Sequence, residues 1–252
     1  MTYNSIKDYF EQLHLRKYFT AEELFFQFRL YEPDLNQNTF RWRVHELKKK
    51  SIIRDVMWGV YSRSDKPYFE PIITNDLKKV SGIFAKKYPE ISYCIWTSRW
   101  LNDLIIHQIV RHFIILETEN DVVENTFYHF QEKGLNVFLK PDKETIERYV
   151  LPKEDSIVII SLVTRSPALI AESIDIPSIE KILVDVFCDK ETFFLYSGGE
   201  LKNIFRFALK KYSINFSRLF AYADRRMKKE EIRSFIFEYV DKSLIQIIND
   251  KL

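Results

Sequence analysis

Glycine is scarce in this chain, with five glycines among 252 residues. The sequence contains neither GxGxxG nor GxxxxGK[ST], the two glycine-rich loops whose main-chain N–H groups bind phosphates. Cofactor sites of those two kinds are therefore excluded. The two cysteines, Cys94 and Cys188, lie far apart and in no metal-binding spacing. Such usage predicts free thiols in a reducing compartment.

Long hydrophobic runs are also missing. The longest aliphatic run, IVIISLV, starts at Ile157 and is far shorter than the roughly 20 apolar residues that a membrane-spanning helix needs. The first residues, MTYNSIKDYFEQ, contain no apolar signal core. We therefore expect a cytoplasmic chain with no membrane partner.

Positive charge is concentrated in one segment, although the whole chain carries a formal net charge of only +2. Residues 36–65 hold seven cations and three acids, residues 1–35 hold four and six, and residues 66–252 hold 27 of each. The basic segment begins NQNTFRWRVHELKKKSIIRDVMWGVYS. A local excess of this kind favours an anionic partner for one segment, because a generally basic protein would carry its excess throughout.

Residues 1–65 show the pattern of three helices followed by a hairpin. SIKDYFEQL is amphipathic, Thr20 and Glu23 form a capping box before AEELFFQFRLY, and Asn36 can cap the next helix. SIIRDV and MWGVYS are then expected to form two short strands. This order predicts a winged helix-turn-helix DNA-binding domain over residues 1–65.

The third predicted helix has two unlike faces. With a period of 3.6 residues, Phe40, Val44 and Leu47 share the inner face, and polar and cationic residues share the outer one. Arg and Asn side chains match base edges in the major groove, and a basic wing suits the phosphates. We therefore expect double-stranded DNA to be contacted by Asn38, Thr39, Arg41, Trp42, His45, Lys48, Lys49, Arg54 and Arg63. The alternative interpretation is a solvated basic surface.

The pattern changes after Pro67 and Pro71, which mark a domain boundary. Short apolar runs (SYCIW, HFIILET, LNVFLK, SIVIISLV) then alternate with predicted helices (SRWLNDLIIHQIV, DVVENTFYHFQEK, KETIERYV). From Pro177 the chain is mostly helical and ends in one long predicted helix, KKEEIRSFIFEYVDKSLIQIIND. We predict an α/β fold, α+β overall, in which residues 66–252 form an α/β sheet domain with a helical C-terminal part.

A second basic surface is predicted in this C-terminal part. Lys202, Arg206 and Lys210 recur every four residues opposite an apolar face, and Arg225 and Arg226 follow in DRRMKK. Such a stripe is typical either of a solvated helix face or of a surface for an anionic partner. We treat these five residues as a candidate interaction surface.

No catalytic residue, metal site or cofactor is predicted, and we expect a protein that is not an enzyme. Glu117, Glu119 and Asp121 alternate at the end of a predicted strand and could bind a divalent metal, but surface and capping roles account for them as well. A metal-dependent nuclease would need this cluster to converge with a lysine.

A ligand-sensing regulator is the other alternative. It would need an apolar pocket in the second domain, for which four aromatic residues are available: Tyr93, Trp96, Trp100 and Phe113. The same residues are also expected in an ordinary hydrophobic core.

Two stretches of the sequence resemble a known family. LKKKSIIRDVMWGVYS resembles the end of the third helix and the wing of AbiEi-type antitoxin regulators. ILETENDVVENTFYHFQEKGLNVFLKP, followed by PSIEKILVDVF, resembles the second domain of a related branch of that group. The resemblance covers nearly the whole chain. Ser51 stands where a glycine is usual, and Met57 and Trp58 replace a more polar wing tip.

The resemblance implies a transcriptional autorepressor and antitoxin of a type IV toxin-antitoxin pair. Its winged helix would bind an operator upstream of its own gene. Its C-terminal domain would be required to neutralise a nucleotidyltransferase-like toxin encoded beside it.

Overall fold

The computed structural model describes residues 10, 11, 13, 15–63 and 66–251. The first predicted helix, SIKDYFEQL, lies largely outside these residues, although Phe10 and Glu11 are helical and Phe10 is buried. Within the described part, no helix combines the length and the apolar character that crossing a bilayer requires.

The N-terminal module combines two helices with a three-stranded sheet. Its elements are β1 (Tyr18–Thr20), α1 (Ala21–Tyr31), α2 (Gln37–Lys49), β2 (Ile53–Met57) and β3 (Val60–Arg63). Strand β3 lies between β1 and β2, and both pairings are antiparallel. A helix-turn-helix followed by a hairpin that pairs with an earlier strand is the winged-helix topology. The strand β1 is the element of this module that the sequence pattern did not predict.

Both predicted helix caps are confirmed. The Glu23 N–H donates to Thr20 Oγ1 at 3.1 Å, and the Thr20 N–H donates to Glu23 Oε2 at 2.8 Å, which completes the capping box. At the start of α2, Asn36 Oδ1 accepts the Thr39 N–H at 2.9 Å. These bonds satisfy main-chain donors that have no partner inside the helix.

The hairpin turns one residue later than predicted. Met57 ends β2, and Trp58 and Gly59 form the turn. Gly59 has φ +70°, a left-handed conformation that glycine adopts without a steric penalty. Met57 and Trp58 therefore do not belong to the second strand, which begins at Val60.

The rest of the chain is built on a four-stranded mixed sheet. Its strands are β4 (Tyr93–Thr97), β5 (Ile114–Thr118), β6 (Val137–Leu139) and β7 (Ile157–Ser161). The order is β4-β5-β7-β6, with β4 antiparallel to β5 and with β5 and β6 parallel to β7. A separate hairpin, which was not predicted, consists of β8 (Ala168–Ala171) and β9 (Ile174–Pro177). The predicted α+β class is confirmed.

Helices surround this sheet. They are α3 (Asn75–Lys87), α4 (Val123–Glu132), α5 (Ile179–Cys188), α6 (Gly199–Lys211), α7 (Phe216–Arg225), α8 (Lys229–Phe237) and α9 (Lys242–Lys251). Shorter helical segments are Ser98–Leu104, Lys143–Thr145 and Ile146–Val150. The long final helix predicted from the sequence is wrong, because the chain leaves α8 and restarts at Asp241, whose carbonyl accepts the Ile245 N–H. The helix predicted for SRWLNDLIIHQIV is a shorter 3₁₀ segment, and α3 was not predicted.

The two faces of the sheet pack against different layers. Along β5, Ile114 and Leu116 pack with the core of α3 and α4, whereas Ile115 packs with the core of α5 to α9. The next residue on the second face is Glu117, because side chains alternate along a strand. A charged residue therefore points into the C-terminal core.

Candidate nucleic-acid interface

The inner face of α2 fixes its position in the N-terminal module. Phe40, Val44 and Leu47 are buried, as their spacing predicts. The Phe40 ring packs edge-on against the Phe25 ring, with centroids 4.9 Å apart, and lies 6.1 Å from that of Phe28. This packing turns the opposite face of α2 towards solvent.

The outer face of α2 presents unpaired polar and cationic groups. Asn38, Arg41, Trp42, His45 and Lys49 are exposed, and Trp42 keeps 52% of its surface in solvent. Among the described residues, none of these five side chains has a hydrogen-bond or ion-pair partner. The predicted residue Thr39 differs, because it is half-buried and its N–H serves the helix cap.

One cation of the basic segment does not lie outward as the pattern predicted. Arg43 is 7% exposed, and its Nη2 donates to Glu32 Oε2 at 2.7 Å. The guanidinium carbon lies 5.5 Å from the centroid of the Phe28 ring. Arg43 lies on the side of α2 that packs against α1. Its ion pair with Glu32 therefore links α2 to the residue that follows α1.

One cation at the end of α2 and one in the first strand of the hairpin are also engaged. Lys48 Nζ donates to both carboxylate oxygens of Asp55, at 3.1 and 3.2 Å. The guanidinium of Arg54 lies 4.0 Å from the centroid of the Tyr68 ring, and its Nε and Nη1 are buried without a hydrogen-bond partner. Lys48 and Arg54 are thus partly buried contacts within the protein, whereas the sequence placed them as free groups facing DNA.

Arg63 is placed differently from its prediction as a basic flank of the wing. Its Nη2 donates to the carbonyl oxygens of Phe10 and Leu13, at 3.0 and 2.9 Å. Its guanidinium carbon also lies 4.8 Å from the centroid of the Phe10 ring. The side chain holds the N-terminal segment against β3, because two carbonyls and one ring share the same cation.

The hairpin is docked on the C-terminal helices. Val56, Met57 and Val60 belong to the same buried cluster as the core of α5 to α9. At the turn, the Trp58 N–H donates to Ser217 Oγ at 2.8 Å, while the indole remains 86% exposed. The wing is therefore held against α7, and its exposed tip is aromatic.

The second predicted surface is only partly free. Lys202, Arg206, Lys210 and Arg225 are exposed, and Arg206 Nη2 donates to Asn203 Oδ1 at 2.8 Å. Arg226 is the exception: it is half-buried and donates from Nη1 to Asp185 Oδ1 at 3.1 Å. The prediction that Arg226 belongs to an open interaction surface is corrected, because its guanidinium joins an interior ion cluster.

That interior cluster is the feature the sequence analysis missed. Lys181 is fully buried, and its Nζ lies 2.6 Å from each oxygen of Glu117 and 2.5 Å from Asp185 Oδ2. The Trp96 Nε1–H donates to Glu117 Oε1 at 3.1 Å, and the Tyr222 hydroxyl donates to Asp185 Oδ1 at 2.7 Å. The one available sequence signal was a Lys-Asp pair spaced i, i+4 within a helix that is apolar apart from this pair and Glu180.

Charge is balanced inside this cluster. Burial alone would lower the pKa of the Lys181 ammonium, but the carboxylates of Asp185 and Glu117 raise it well above its usual range. Burial raises the pKa of the Glu117 carboxyl, against the opposing effect of Lys181. With Arg226 beside Asp185, two cations face two carboxylates. The cluster joins β5, α5 and α7 across the core, which is a structural use of buried charge.

The predicted carboxylate group does not converge. Glu117 lies inside the protein, whereas Glu119 is exposed and accepts the Ser92 N–H at 2.9 Å. This bond lowers the pKa of the Glu119 carboxyl. Asp121 is exposed as well. Among the described residues, no three His, Cys, Asp or Glu side chains are grouped as a metal site.

The aromatic residues considered for a ligand pocket belong to the core. Trp96 and Phe113 are buried, and the Trp96 ring stacks on Phe193 with centroids 5.4 Å apart. The Trp100 Nε1–H donates to the Ile72 carbonyl at 3.3 Å. Tyr93 is half-buried and shares a 2.7 Å hydrogen bond with Ser81. Phe113 also borders a pocket of about 320 Å³ whose other lining residues are mostly polar or charged, and Trp96 borders a cavity of about 20 Å³. The four aromatic residues therefore do not line one shared apolar pocket.

Fold and surface together define an α+β protein whose winged-helix module carries an exposed basic helix face. A family described as a family of unknown function (DUF6577) matches residues 39–242, and the chain belongs to this family. No curated protein and no solved structure matches the chain.

Proposed function

We propose that this protein is a DNA-binding transcriptional regulator that places α2 in the major groove of double-stranded DNA. The observation that carries the proposal is the outer face of α2, where Arg41, His45 and Lys49 are exposed without an acidic partner among the described residues. Trp42 lies exposed among them. Acid–base pairs at i, i+4 stabilise a solvated helix face, and Lys50 at the end of α2 forms one with Glu46. Arg41, His45 and Lys49 form none among the described residues, which favours an anionic partner for their face.

Roles within the face follow from side-chain chemistry. Arg41 lies one turn into α2 and can donate two parallel N–H bonds to a guanine edge, whereas Asn38 suits adenine. Lys49, at the end of α2, suits a phosphate, because an ammonium is a point charge without a directional fork. The hairpin would present Trp58 to the DNA, since the guanidinium of Arg54 lies against the Tyr68 ring, and that of Arg63, although the side chain is exposed, is bonded to two main-chain carbonyls.

The test uses the full chain, because the hairpin residues Val56, Met57 and Val60 are buried against the C-terminal helices. A duplex pool of random sequence would be passed through repeated rounds of binding, and the enriched sequence titrated at increasing salt. We expect enrichment of one motif, with about 0.9 added to the log-log salt slope for every phosphate contacted. Failure to enrich any motif, or affinity that does not change with salt, would refute the proposal.

The biological role in the second part of the proposal rests on the resemblance to AbiEi-type regulators. We propose an autorepressor in the cytoplasm that binds an operator upstream of its own gene and acts as the antitoxin of a type IV pair. Its functional partner would be a nucleotidyltransferase-like toxin. The exposed cations Lys202, Arg206 and Lys210 on α6, with Arg225 nearby, supply a surface for neutralisation.

The neutralisation proposal can be tested in cells that express the product of the adjacent gene. Changing Lys202, Arg206 and Lys210 to glutamate should abolish the protection of these cells against that gene product, while leaving DNA binding by α2 intact. The matched control reverses three exposed cations of α3, Lys79, Lys86 and Lys87, and should keep protection. Protection that survives the first triple change, or an adjacent gene product that is not toxic, would count against this part alone.

A further inference from the structure

A groove of about 340 Å³ lies between the N-terminal module and the C-terminal helices. It is bounded by residues next to β1, by β3, by α6 and by the segment between α8 and α9. The residues that matter to its chemistry are the cations Lys17, Arg63, Lys66, Arg206 and Lys210, the acid Asp241, and the apolar or aromatic residues Tyr18, Val56, Tyr212, Ile214, Phe216 and Leu244. Its volume is at the lower end of the range for small-molecule sites, which begins near 300 Å³.

The charge of the groove is strongly one-sided. Five cations from three parts of the chain line it, and Asp241 is the one acid among the lining residues. Asp241 accepts from Lys17 Nζ at 2.6 Å, and this bond lowers the pKa of the Asp241 carboxyl. Lys66 contributes to the same lowering through its charge. The carboxylate therefore lies within reach of more than one cation.

Lys66 donates from Nζ to the Leu209 carbonyl at 2.6 Å. The other three cations, Arg63, Arg206 and Lys210, have no acidic partner among the described residues. The guanidinium of Arg63 is bonded to two main-chain carbonyls, and that of Arg206 is bonded to the Asn203 amide oxygen. Neutral oxygens satisfy N–H donors but do not cancel a positive charge. Lys210 has no partner among the described residues and lies one turn from Arg206 on α6. An anion that enters the groove is attracted by each of these charges, and it relieves their repulsion of one another.

Apolar and aromatic residues also line the groove. They include Val56 of the hairpin, Ile214 and Phe216, which are buried, and Leu244 of α9. Tyr212, whose ring is edge-on to the Phe69 ring at 5.3 Å between centroids, belongs to the same lining. A purely inorganic anion would use only the cations. A ligand with a charged end and a flat apolar body would contact both kinds of residue.

We propose that this groove binds a small phosphate monoester with an aromatic body, of the size of a nucleoside monophosphate. A phosphate dianion carries three acceptor oxygens, so it can take N–H donors from Arg206, Lys210 and Arg63 at once. A carboxylate offers two oxygens and a single charge, and would leave part of the cation cluster uncompensated.

A ligand in the groove would touch β3 and α6 together and so add to the packing that already docks the hairpin on the C-terminal helices. A regulatory consequence follows, and it rests on the proposed DNA binding: the bound monoester would change the affinity of the protein for its DNA site, since the hairpin follows α2 directly in the chain. Binding of the monoester itself does not depend on that function.

The experiment titrates the full chain with AMP, GMP, CMP and UMP by calorimetry, with adenosine and inorganic phosphate as separate probes. We expect at least one monophosphate to bind, adenosine not to bind, and inorganic phosphate to bind more weakly. The double variant R206A/K210A should lower the affinity at least tenfold. Lys202→Ala is the matched control, because Lys202 is an exposed cation of the same helix but does not line the groove.

Each other outcome is decisive. If none of the four monophosphates binds, or if R206A/K210A binds as the wild type does, the proposal is overturned. If R206A/K210A lowers affinity for DNA when no monophosphate is present and none binds the wild type, the groove contacts DNA phosphates instead. If a monophosphate binds in the groove but the protein selects no DNA motif, the proposed function fails and the ligand site stands.

Discussion

Helix α2 and the hairpin β2–β3 follow one another in the chain, and both carry cations that the sequence assigned to DNA. On α2, Arg41 and Lys49 reach solvent without a partner among the described residues. At the hairpin, the guanidinium of Arg54 lies over the Tyr68 ring and that of Arg63 is bonded to two carbonyls. Arg41 and Lys49 therefore keep all their N–H donors for an outside partner, whereas the cations of the hairpin use some of theirs, or the face of the guanidinium, within the protein.

Packing explains the difference. The apolar residues of α2 pack within the N-terminal module, and no other element of the described chain covers its outer face. The apolar residues of the hairpin, Val56, Met57 and Val60, instead join the core of the C-terminal helices. Docking on that core draws the flanking side chains into contacts within the protein. The wing is therefore a structural bridge between the two regions as well as a surface.

The largest expected effect is a loss of stability when a buried residue of the hairpin is replaced. Met57 is 3% exposed, and Met57→Ala should lower the free energy of unfolding by about 2–5 kcal/mol, because a cavity would form in the shared core. The matched control is its neighbour Trp58, which is 86% exposed, and Trp58→Ala should change stability by less than about 0.5 kcal/mol. Urea unfolding of both variants measures the difference. Equal losses would mean that the hairpin is not docked in solution.

The next largest effect is expected on DNA affinity, where variants of α2 and of the hairpin should differ. Arg41→Ala should weaken binding to the selected motif by about 1–3 kcal/mol and relax specificity at one base position, if Arg41 reads a base edge. Lys49→Ala should weaken all sequences alike and reduce the salt slope by about 1. Arg63→Ala should act mainly on stability, since its guanidinium holds the Phe10 segment. Gel shifts on the motif and on random duplex distinguish these cases.

Equal losses on both duplexes for Arg41→Ala would reassign that side chain to the phosphates. A loss of DNA affinity for Arg63→Ala without any change in stability would restore the sequence prediction for the wing.

Much of this architecture could be predicted from local sequence, and the rest depended on tertiary contacts. The caps at Thr20 and Asn36 and the inner face of α2 follow from short-range rules, and the structure confirms them. The burial of Arg43 depends on Glu32, which belongs to the end of the preceding helix and has no fixed spacing to it. Lys181 and Glu117 are 64 residues apart, so no periodicity could pair them.

A smaller effect on stability is expected from a substitution at Ser51, in the turn between α2 and the hairpin. Ser51 has φ +57°, a left-handed conformation that costs a residue with a Cβ atom about 1 kcal/mol. Ser51→Gly should therefore stabilise the protein by up to about 1 kcal/mol, while DNA affinity stays unchanged. Thermal unfolding measures the gain. The control Ser243→Gly, at an exposed position in the first turn of α9, should destabilise slightly. A loss of stability for Ser51→Gly would show that the serine side chain is needed at this turn.

The smallest effect concerns the ion pair between Lys17, beside β1, and Asp241, before α9. Both side chains are more than half exposed, at 62% and 54%, so the pair should contribute only about 0.2–1 kcal/mol. The Lys17 bond lowers the pKa of the Asp241 carboxyl in the folded protein, so this contribution is present above the unfolded value of about 3.9 and is lost as the pH falls through the folded value. Lys17→Met should lower the free energy of unfolding slightly at pH 7, and the difference from wild type should shrink at pH 3. Lys210→Met, which removes a cation without an ion-pair partner among the described residues, is the control and should show no such pH dependence. A Lys17→Met effect above about 1 kcal/mol, or one that persists undiminished at pH 3, would show that the two regions are held together here by more than an exposed ion pair.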